Sequence, residues 1–291
     1  MKTLKEDVIT YLTEKFTDSN VLFIGEGWTS LAFLIDDNIF RFPKYSIEWY
    51  LREVEILSVV KKYIKIQIPD IKIITDGNYC YSVHKSILGH HWSLDEYTSL
   101  ESNLKRNFVT DCANFLFDLH SIPLSEFKNI RSKPCLIPPK FRQKDEIYPL
   151  LLTYIPLEIL NIIYDKYRIA CDKCVPDPVF LHKDFEGKNS VVNEDYRLTG
   201  IFDFGNSDIG DRTREFAFLY NPEYPEFLND LLIYYNKISG TQIKLQDVQN
   251  YMLRSIINSM PELYDPELES IRDEVVEKRC KKIMFFADYF L

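Results

Sequence analysis

Two short segments in the second half of the chain carry residues of the kind that handle phosphate groups. The first contains His182 and Asp184, and an asparagine, Asn189, stands five positions after that aspartate. The second is the triplet Asp203-Phe-Gly205. Phosphoryl transfer needs one carboxylate to orient or deprotonate the attacking hydroxyl, and oxygen ligands to hold Mg²⁺ against the phosphates. The two segments together therefore indicate a kinase-type site.

The spacing of these segments favours their meeting in space. Asn189 and Asp203 are 14 positions apart, which is enough for one β-hairpin between them. Short apolar runs around polar turns predict strands at residues 179–181, 191–192 and 198–202. A single His-x-Asp pair or a single Asp-Phe-Gly turn is a weak signal, whereas both motifs at predicted strand ends form a specific set. We therefore predict a small group of strands that carries the chemistry.

The elements that must position these residues divide the chain into a β-rich first part and a helical second part. In the first part, strands are expected at residues 21–24, 31–35, 39–42, 72–75 and 79–84, with helices at 4–16 and 47–62. In the second part, helices are expected at residues 100–119, 157–170, 225–236 and from 244 onward. The pattern predicts an α+β, bilobal, protein-kinase-like fold. The lobe boundary is expected between residues 88 and 89.

A glycine-containing turn in the first lobe could cover the phosphates of a nucleotide. Gly25 and Gly27 lie between the first two predicted strands, and Ser30 follows them. Glycine backbone is flexible enough to fold closely over phosphate groups. The turn lacks the third glycine of the protein-kinase pattern, so it gains its meaning from the motifs that follow it.

A lysine and a glutamate follow the turn in the order that a kinase-like site requires. Lys44 ends the third predicted strand, from which its ammonium could reach the α- and β-phosphates. Glu53 on the next helix is our choice for the ion pair that holds Lys44, with Glu55 as the alternative. Surface lysines and glutamates are usually solvated, and the order of motifs is what favours a functional reading.

Composition and charge exclude several other classes of protein. The net charge of −9 argues against nucleic acid and anionic membranes as partners and is compatible with a cationic substrate. No signal-peptide pattern and no long apolar run is present, so we expect a soluble cytoplasmic protein. The six cysteines are scattered, and the lone pair Cys171-x-x-Cys174 has no second half, so free thiols are expected. We favour a monomer, although the sequence leaves the oligomeric state open.

On these motifs the chain resembles the aminoglycoside phosphotransferase family, most closely its 2″-phosphotransferase branch. The matching pieces span almost the whole chain. They are Gly25-Glu-Gly27, Phe42-Pro-Lys44, Arg52-Glu53, Leu119-His-Ser-Ile-Pro123, His182-x-Asp184 with Asn189, Asp203-Phe-Gly205, Gly210-Asp211 and Glu215-Phe-Ala217.

The resemblance implies a role for several of these residues. Asp184 would be the catalytic base, and Asn189 and Asp203 would bind Mg²⁺. A hinge that includes Ser86 and Ile87 would bind the purine edge through its backbone, with ATP or GTP as donor. The implied substrate is an aminoglycoside antibiotic.

A polycationic substrate requires carboxylates around the acceptor site. Asp208 and Asp211 stand next to the Asp-Phe-Gly triplet and could contact an amine or cap a helix. Glu267 and Glu269 belong to an acidic stretch near the end of the chain, for which a solvated helix is the alternative reading.

Two further functions stay open at this point. The first is a metabolic kinase for a small alcohol such as choline, homoserine or a sugar. The second is a catalytically silent nucleotide-binding relative, because Lys183 and Glu186 depart from the pattern of the family. A carboxylate at position 186 would repel the phosphates unless Lys183 or Lys188 compensates for it, or unless Glu186 points away.

Overall fold

The computed structural model describes residues 4–27, 29–130, 134, 141–172, 177–264 and 272–288, and the following statements concern these parts of the chain. The helices are α1 (Leu4–Lys15), α2 (Glu48–Val60), α3 (Leu94–Ser99), α4 (Ser102–His120), α5 (Lys144–Leu151), α6 (Leu157–Asp172), α7 (Thr213–Leu219), α8 (Pro225–Ser239), α9 (Leu245–Ser259) and α10 (Arg272–Asp288). The strands are β1 (Val21–Glu26), β2 (Ser30–Ile35), β3 (Asn38–Pro43), β4 (Lys72–Asp76), β5 (Tyr79–Lys85), β6 (Pro178–Leu181), β7 (Ser190–Val192), β8 (Leu198–Ile201) and β9 (Asp208–Asp211).

The first part of the chain forms a five-stranded antiparallel sheet in the order β1-β2-β3-β5-β4. Two tight turns reverse the chain with residues in the left-handed region, Asp36 (φ 50°) before β3 and Gly77 (φ 57°) before β5. The five strands lie where the alternating apolar pattern predicts them.

The two faces of the sheet serve different purposes because side chains alternate along each strand. On β3, Phe40 and Phe42 are buried in a small core that Val8 and Leu12 of α1 complete. Arg41, between the two phenylalanines, points to the opposite face and so reaches α2. This alternation places a cationic side chain in the cleft between the two parts of the molecule.

The second part of the chain is helical around a large apolar core. The buried face of α4 repeats every three or four residues, through Phe108, Cys112, Phe115 and Leu119, and packs against α8. The helices predicted at 100–119, 157–170 and 225–236 are thus present as α4, α6 and α8. The molecule is an α+β protein of the kinase-like type.

The predicted group of strands is present and forms two short antiparallel pairs. β7 and β8 make the hairpin expected between Asn189 and Asp203. β6 pairs with β9, so that Leu181 lies opposite Asp208. The sequence pattern did not predict β9, because its four residues, including Asp208, Gly210 and Asp211, have no strand-type alternation.

Other differences concern helices. The stretch expected to be helical from residue 244 onward contains two described helices, α9 and α10, with a 3-10 turn at Pro261–Tyr264 after the first. The short helices α3 and α5 were not predicted. Among the described residues, no helix combines the length and the apolar character needed to cross a membrane. The described cysteines, Cys80, Cys112, Cys171 and Cys280, are free thiols, as expected.

Candidate active site

The loop after β6 is held in place by a buried carboxylate on α7. Glu215 is fully buried, and its two oxygens accept hydrogen bonds from the amides of His182 (2.7 Å) and Lys183 (3.0 Å). Lys183 has φ 70°, a left-handed conformation that costs about 1–3 kcal/mol for a residue other than glycine. The two amide bonds to Glu215 fix this strained conformation and direct the chain toward Asp184.

The ring of His182 joins the loop to the strand pair that precedes the Asp-Phe-Gly triplet. Its Nε2 lies 3.1 Å from the carbonyl oxygen of Phe202, and its Nδ1 lies 3.3 Å from the amide of Asp184. The Nδ1 atom accepts from that amide, so Nε2 carries the proton. Complete burial lowers the pKa of His182, which agrees with this neutral ring.

Asn189 is packed against the backbone of the proposed base. Its side-chain Nδ2 donates to the carbonyl oxygen of Asp184 over 2.9 Å. Its own carbonyl oxygen accepts from the amide of Phe202 over 3.0 Å, which places Asn189 next to Asp203. The structure therefore brings together Asp184, Asn189 and Asp203, the three residues that the motifs singled out.

The Asp-Phe-Gly turn is anchored to the first lobe by Glu53. Asp203 adopts a left-handed conformation (φ 68°), and the next amide, that of Phe204, donates to Glu53 Oε1 over 3.1 Å. Phe204 is buried against the ring of His182, with 4.4 Å between the ring centroids. α2 thus fixes the turn that carries Asp203.

The predicted ion pair between Lys44 and Glu53 is wrong. Glu53 Oε2 accepts from Arg41 Nη1 over 2.9 Å, and both side chains are buried or nearly so. Burial raises the pKa of Glu53 and the charge of Asp203 adds to the effect, while Arg41 opposes it. Strand alternation explains the difference, because Arg41 lies within β3 on the face toward α2, whereas Lys44 follows the end of the strand.

Lys44 instead closes the glycine-containing turn between β1 and β2. Its Nζ lies 2.5 Å from Glu26 Oε1 and donates to the carbonyl oxygen of Gly27 over 3.2 Å. The amide of Gly27 donates to the carbonyl oxygen of Ser30 over 2.9 Å. A side chain at position 25 would meet no atom within 4 Å, so Gly25 borders open space. The turn therefore presents backbone and one lysine at the edge of the cleft.

Asp208 is engaged by two cations of the protein itself. Its Oδ1 accepts from Arg52 Nη2 at 3.0 Å, and its Oδ2 lies 3.2 Å from Lys183 Nζ. Arg52 also donates to the carbonyl oxygens of Gly205 and Ser207. The prediction that Asp208 contacts a substrate amine competes with these two ion pairs, which link α2, β9 and the loop of Lys183.

The remaining acidic candidates lie elsewhere. Asp211 Oδ1 accepts from the amide of Thr213 over 2.8 Å at the start of α7, and Asp211 also lines a cavity of about 350 Å³ together with Asp177 and Asp247. β9 separates this cavity from the loop of Asp184 by the length of a four-residue strand. Glu267 and Glu269 lie outside the described residues.

The predicted hinge is attached to the β7–β8 hairpin. The amide of Ser86 donates to the carbonyl oxygen of Asp37 over 2.8 Å, so this amide is already engaged. Ile87 packs on Gly200, where an added Cβ would lie 2.2 Å from the Ile87 Cγ2 atom. Thr199 donates its hydroxyl to the carbonyl oxygen of Leu88 over 2.9 Å. The segment is thereby fixed to the strand that precedes Asp203.

The oxygen atoms of Asn189 and Asp203 fit the needs of a magnesium ion. Since Asn189 donates through Nδ2, its side-chain oxygen is the atom left for a ligand. Within the described residues, no cation forms an ion pair with the carboxylate of Asp203. No group of three or more His, Cys, Asp or Glu side chains suited to a metal occurs in the described chain. Two protein oxygens suffice for Mg²⁺ when phosphate and water oxygens complete its shell.

Sequence reasoning missed the roles of Glu215 and His120. His120 accepts or donates at Nδ1 with the Tyr235 hydroxyl (2.7 Å), and its Nε2 lies 3.7 Å from Glu215 Oε2. In the sequence, both residues stand out only as members of motifs that resemble those of the aminoglycoside phosphotransferase family. The partners of Glu215 are backbone amides about thirty positions earlier in the chain, so no spacing rule points to them.

Solved structures with the same fold cover almost the whole chain. The GDP and kanamycin complex of APH(2″)-IIIa is 20% identical, with a TM-score of 0.68 over 94% of this chain and 98% of that one. The gentamicin complex of APH(2″)-IIa is 21% identical, with a TM-score of 0.67 over 98% and 97%. Macrolide 2′-phosphotransferase type I is 14% identical, with a TM-score of 0.66 over 94% and 97%. At these identities the likeness shows the fold.

A family model gives the stronger assignment. The model of the phosphotransferase enzyme family matches residues 20–243, which include the glycine-containing turn, the His-x-Asp loop and the Asp-Phe-Gly turn. These are the segments that the structure brings to one cleft. The chain belongs to the phosphotransferase enzyme family.

Proposed function

We propose that the protein transfers the γ-phosphoryl group of ATP or GTP to a hydroxyl group of an aminoglycoside. The observation that carries the proposal is the convergence of Asp184, Asn189 and Asp203 on a loop and a turn that buried carboxylates hold rigidly. Positioning of the reacting groups and electrostatic stabilisation together supply most of the rate in phosphoryl transfer. The nucleotide-binding lobe would comprise residues 1–88, and the catalytic lobe residues 89–291.

Asp184 is the proposed base. The acceptor hydroxyl oxygen forms a bond to the γ-phosphorus, and the bond between that phosphorus and the oxygen bridging to the β-phosphate breaks. The hydroxyl proton passes to the Asp184 carboxylate, and the nucleoside diphosphate leaves with the electron pair of the broken bond. The Asp184 side chain is 26% exposed, so an acceptor can reach it from solvent.

The donor is proposed to lie between the two lobes. Ile87 and Leu88 would contact the purine ring of the nucleotide through their backbone, because the Ser86 amide already donates to Asp37. Gly25 and Gly27 would cover the phosphates, with Lys44 at their edge. Asn189 and Asp203 would hold Mg²⁺, which neutralises developing charge on the β- and γ-phosphates when it is bound. Complexes of similar structures carry GDP, ADP or ATP.

The aminoglycoside assignment rests on two supports. Several similar structures are complexes with kanamycin, gentamicin or streptomycin. The net charge of −9 favours a cationic substrate. A metabolic small-alcohol kinase is the second candidate. It is favoured by the engagement of Asp208 with Arg52 and Lys183, because this carboxylate then has less negative charge to offer an amine.

A substrate panel distinguishes the candidates. The purified protein is incubated with ATP or GTP and Mg²⁺ together with kanamycin, gentamicin, choline, homoserine, a simple sugar or a macrolide, at low and moderate salt. The proposal predicts nucleotide consumption with an aminoglycoside and a KM that rises with salt, because charge pairing is screened. If nucleotide is consumed only in the presence of choline, homoserine or the sugar, the substrate is a metabolite and the aminoglycoside proposal is wrong.

A further inference from the structure

Lys188 lies next to the proposed base, Asp184, and has no role in the proposed reaction. Lys188 stands four positions after Asp184, within a 3-10 turn at Gly187–Asn189. Its Nζ lies 3.7 Å from Asp184 Oδ1 and contacts Glu186 Oε1. The side chain is 66% exposed. Its ammonium group therefore lies at the open side of the site, between two carboxylates.

The backbone that carries Lys188 is fixed, although its side chain is exposed. Gly187 contacts the backbone of Trp92 so closely that a Cβ would lie 1.8 Å from the Trp92 carbonyl oxygen. The carbonyl oxygen of Glu186 accepts from the Asn189 amide (3.0 Å) and from the Ser190 hydroxyl (2.8 Å). Movement of the Lys188 ammonium therefore requires rotation of side-chain bonds alone.

Two other basic residues near the His-x-Asp loop and the Asp-Phe-Gly turn are held in less exposed ion pairs. Lys183 pairs with Asp208, and Arg41 pairs with Glu53. Burial of these two pairs makes their exchange for a phosphate group costly. Lys188, by contrast, forms a solvated pair with Glu186, and solvated pairs contribute little to stability. Exchange of Glu186 for a phosphate oxygen is thus inexpensive for Lys188.

The electrostatics beside the proposed base favour a further cation. Asp184 and Glu186 both lie beside Lys188, and a nucleoside triphosphate bound near Asn189 and Asp203 would add further negative charge. Without compensation these like charges repel one another. The length of a lysine side chain is sufficient to move its ammonium from Glu186 toward a phosphate held beside Asp184.

We propose that Lys188 binds the γ-phosphate of the donor nucleotide, and that Glu186 holds Lys188 at the site until the nucleotide arrives. The inference rests on the proposed phosphotransferase function and extends it. It also gives Glu186, whose carboxylate departs from the family pattern, a defined role. Because Lys188 contacts the γ-phosphate, it distinguishes a triphosphate from a diphosphate.

The test compares the affinities of ATP and ADP, and of GTP and GDP, for wild type and Lys188→Met in the presence of Mg²⁺ and without an acceptor. Loss of one charge-assisted contact is expected to weaken triphosphate binding about ten- to a hundredfold. Diphosphate affinity is expected to change less than about twofold, because that ligand lacks the γ-phosphate. Lys188→Arg keeps the charge and is expected to restore most of the triphosphate affinity.

Lys281→Met is the matched control, since Lys281 also forms an exposed lysine–glutamate pair, with Glu277 at 2.8 Å on α10. This variant should bind all four nucleotides like wild type. A Glu186→Gln change should tighten triphosphate binding, and the gain should shrink in the Lys188→Met background if the two residues act together.

Two results overturn the inference in different ways. If Lys188→Met binds triphosphate and diphosphate like wild type, or weakens both equally, the role of Lys188 is wrong while the proposed function stands. If wild type itself binds none of the four nucleotides, the proposed function fails and the inference fails with it.

Discussion

At the scale of single residues, two buried carboxylates outside the reacting centre fix the backbone that carries Asp184 and Asp203. Glu215 holds the amides of His182 and Lys183, and Glu53 holds the amide of Phe204. The pKa of Glu215 lies below its ordinary value: burial opposes its charge, but His120 and the His182 amide outweigh that effect. The strained backbone before Asp184 is therefore stabilised by groups outside the reacting centre.

The proposed role of Asp184 gives a prediction for one substitution. Asp184→Asn keeps the size of the side chain and its backbone contact with Asn189, but it removes the base. Turnover should fall about 10²- to 10⁴-fold, while nucleotide affinity stays close to that of wild type. Steady-state rates and equilibrium binding of the nucleotide check the two halves separately. Wild-type turnover in this variant would remove Asp184 from the mechanism.

His120 gives a prediction for the pH dependence of stability. Burial lowers the pKa of His120 in the folded protein. As the pH falls below the unfolded value of about 6.5, the unfolded chain gains a proton that the folded protein resists, so the free energy of unfolding decreases. His120→Gln should be less stable than wild type at pH 7, and its stability should depend less on pH between 7 and 5. Denaturant titrations at both pH values test this, and equal slopes for the two proteins would contradict it.

The residues of the candidate site were predictable where short spacing decides their position. One hairpin is enough to bring Asn189 to Asp203, and the sequence shows that hairpin through two apolar runs and polar turns. The pairing of Glu53 was not predicted correctly, although alternation along β3 points Arg41 away from Phe40 and Phe42. Glu215 gave no such signal, because its backbone partners approach it only in the folded chain.

At the scale of elements, α2 connects the first lobe to the reacting centre through two neighbouring side chains. Glu53 contacts the Asp-Phe-Gly turn, and Arg52 contacts the segment that follows it. Through its second carboxylate oxygen, Glu53 also accepts from Arg41 of β3. A shift of this helix would disturb the sheet and the turn together, so the helix links the sheet of the first lobe to the position of Asp203.

The identity of the cation that pairs with Glu53 can be tested by stability. Arg41→Met leaves a buried carboxylate without its partner and should lower the free energy of unfolding by about 3–5 kcal/mol. Lys44→Met removes a partly exposed pair with Glu26 and should cost about 1 kcal/mol or less. Denaturant unfolding of both variants measures the difference. A larger loss of unfolding free energy for Lys44→Met than for Arg41→Met would support the predicted ion pair between Lys44 and Glu53.

The contact between the His-x-Asp loop and the segment before α3 can be tested by adding one methyl group at Gly187. Gly187→Ala places a Cβ against the Trp92 carbonyl oxygen and should lower the free energy of unfolding by about 1–3 kcal/mol or more, with a larger loss of activity. Gly25→Ala is the control for stability, since open space surrounds that position. Equal unfolding midpoints for both alanine variants would show that the loop does not depend on this contact.

At the scale of the whole molecule, the cleft is bounded by two fixed connections between the lobes. The hinge is attached to the β7–β8 hairpin through Ile87, which packs on Gly200, and through the carbonyl oxygen of Leu88, which accepts from the Thr199 hydroxyl over 2.9 Å. On the opposite side, α2 is attached to the Asp-Phe-Gly turn. The overall two-part architecture follows from the change of sequence periodicity near residue 89. The hinge connection does not follow from it, because it depends on close contacts at Gly89 and Gly200.

The central claim is that this cleft moves a phosphoryl group onto an aminoglycoside hydroxyl with Asp184 as base. The most direct test incubates the protein with γ-labelled ATP or GTP, Mg²⁺ and kanamycin or gentamicin, and then follows the label by mass spectrometry. Our account predicts a singly phosphorylated antibiotic and unlabelled nucleoside diphosphate from wild type, and a rate about 10²- to 10⁴-fold lower from Asp184→Asn. Tight nucleotide binding with no labelled antibiotic of either kind would contradict it.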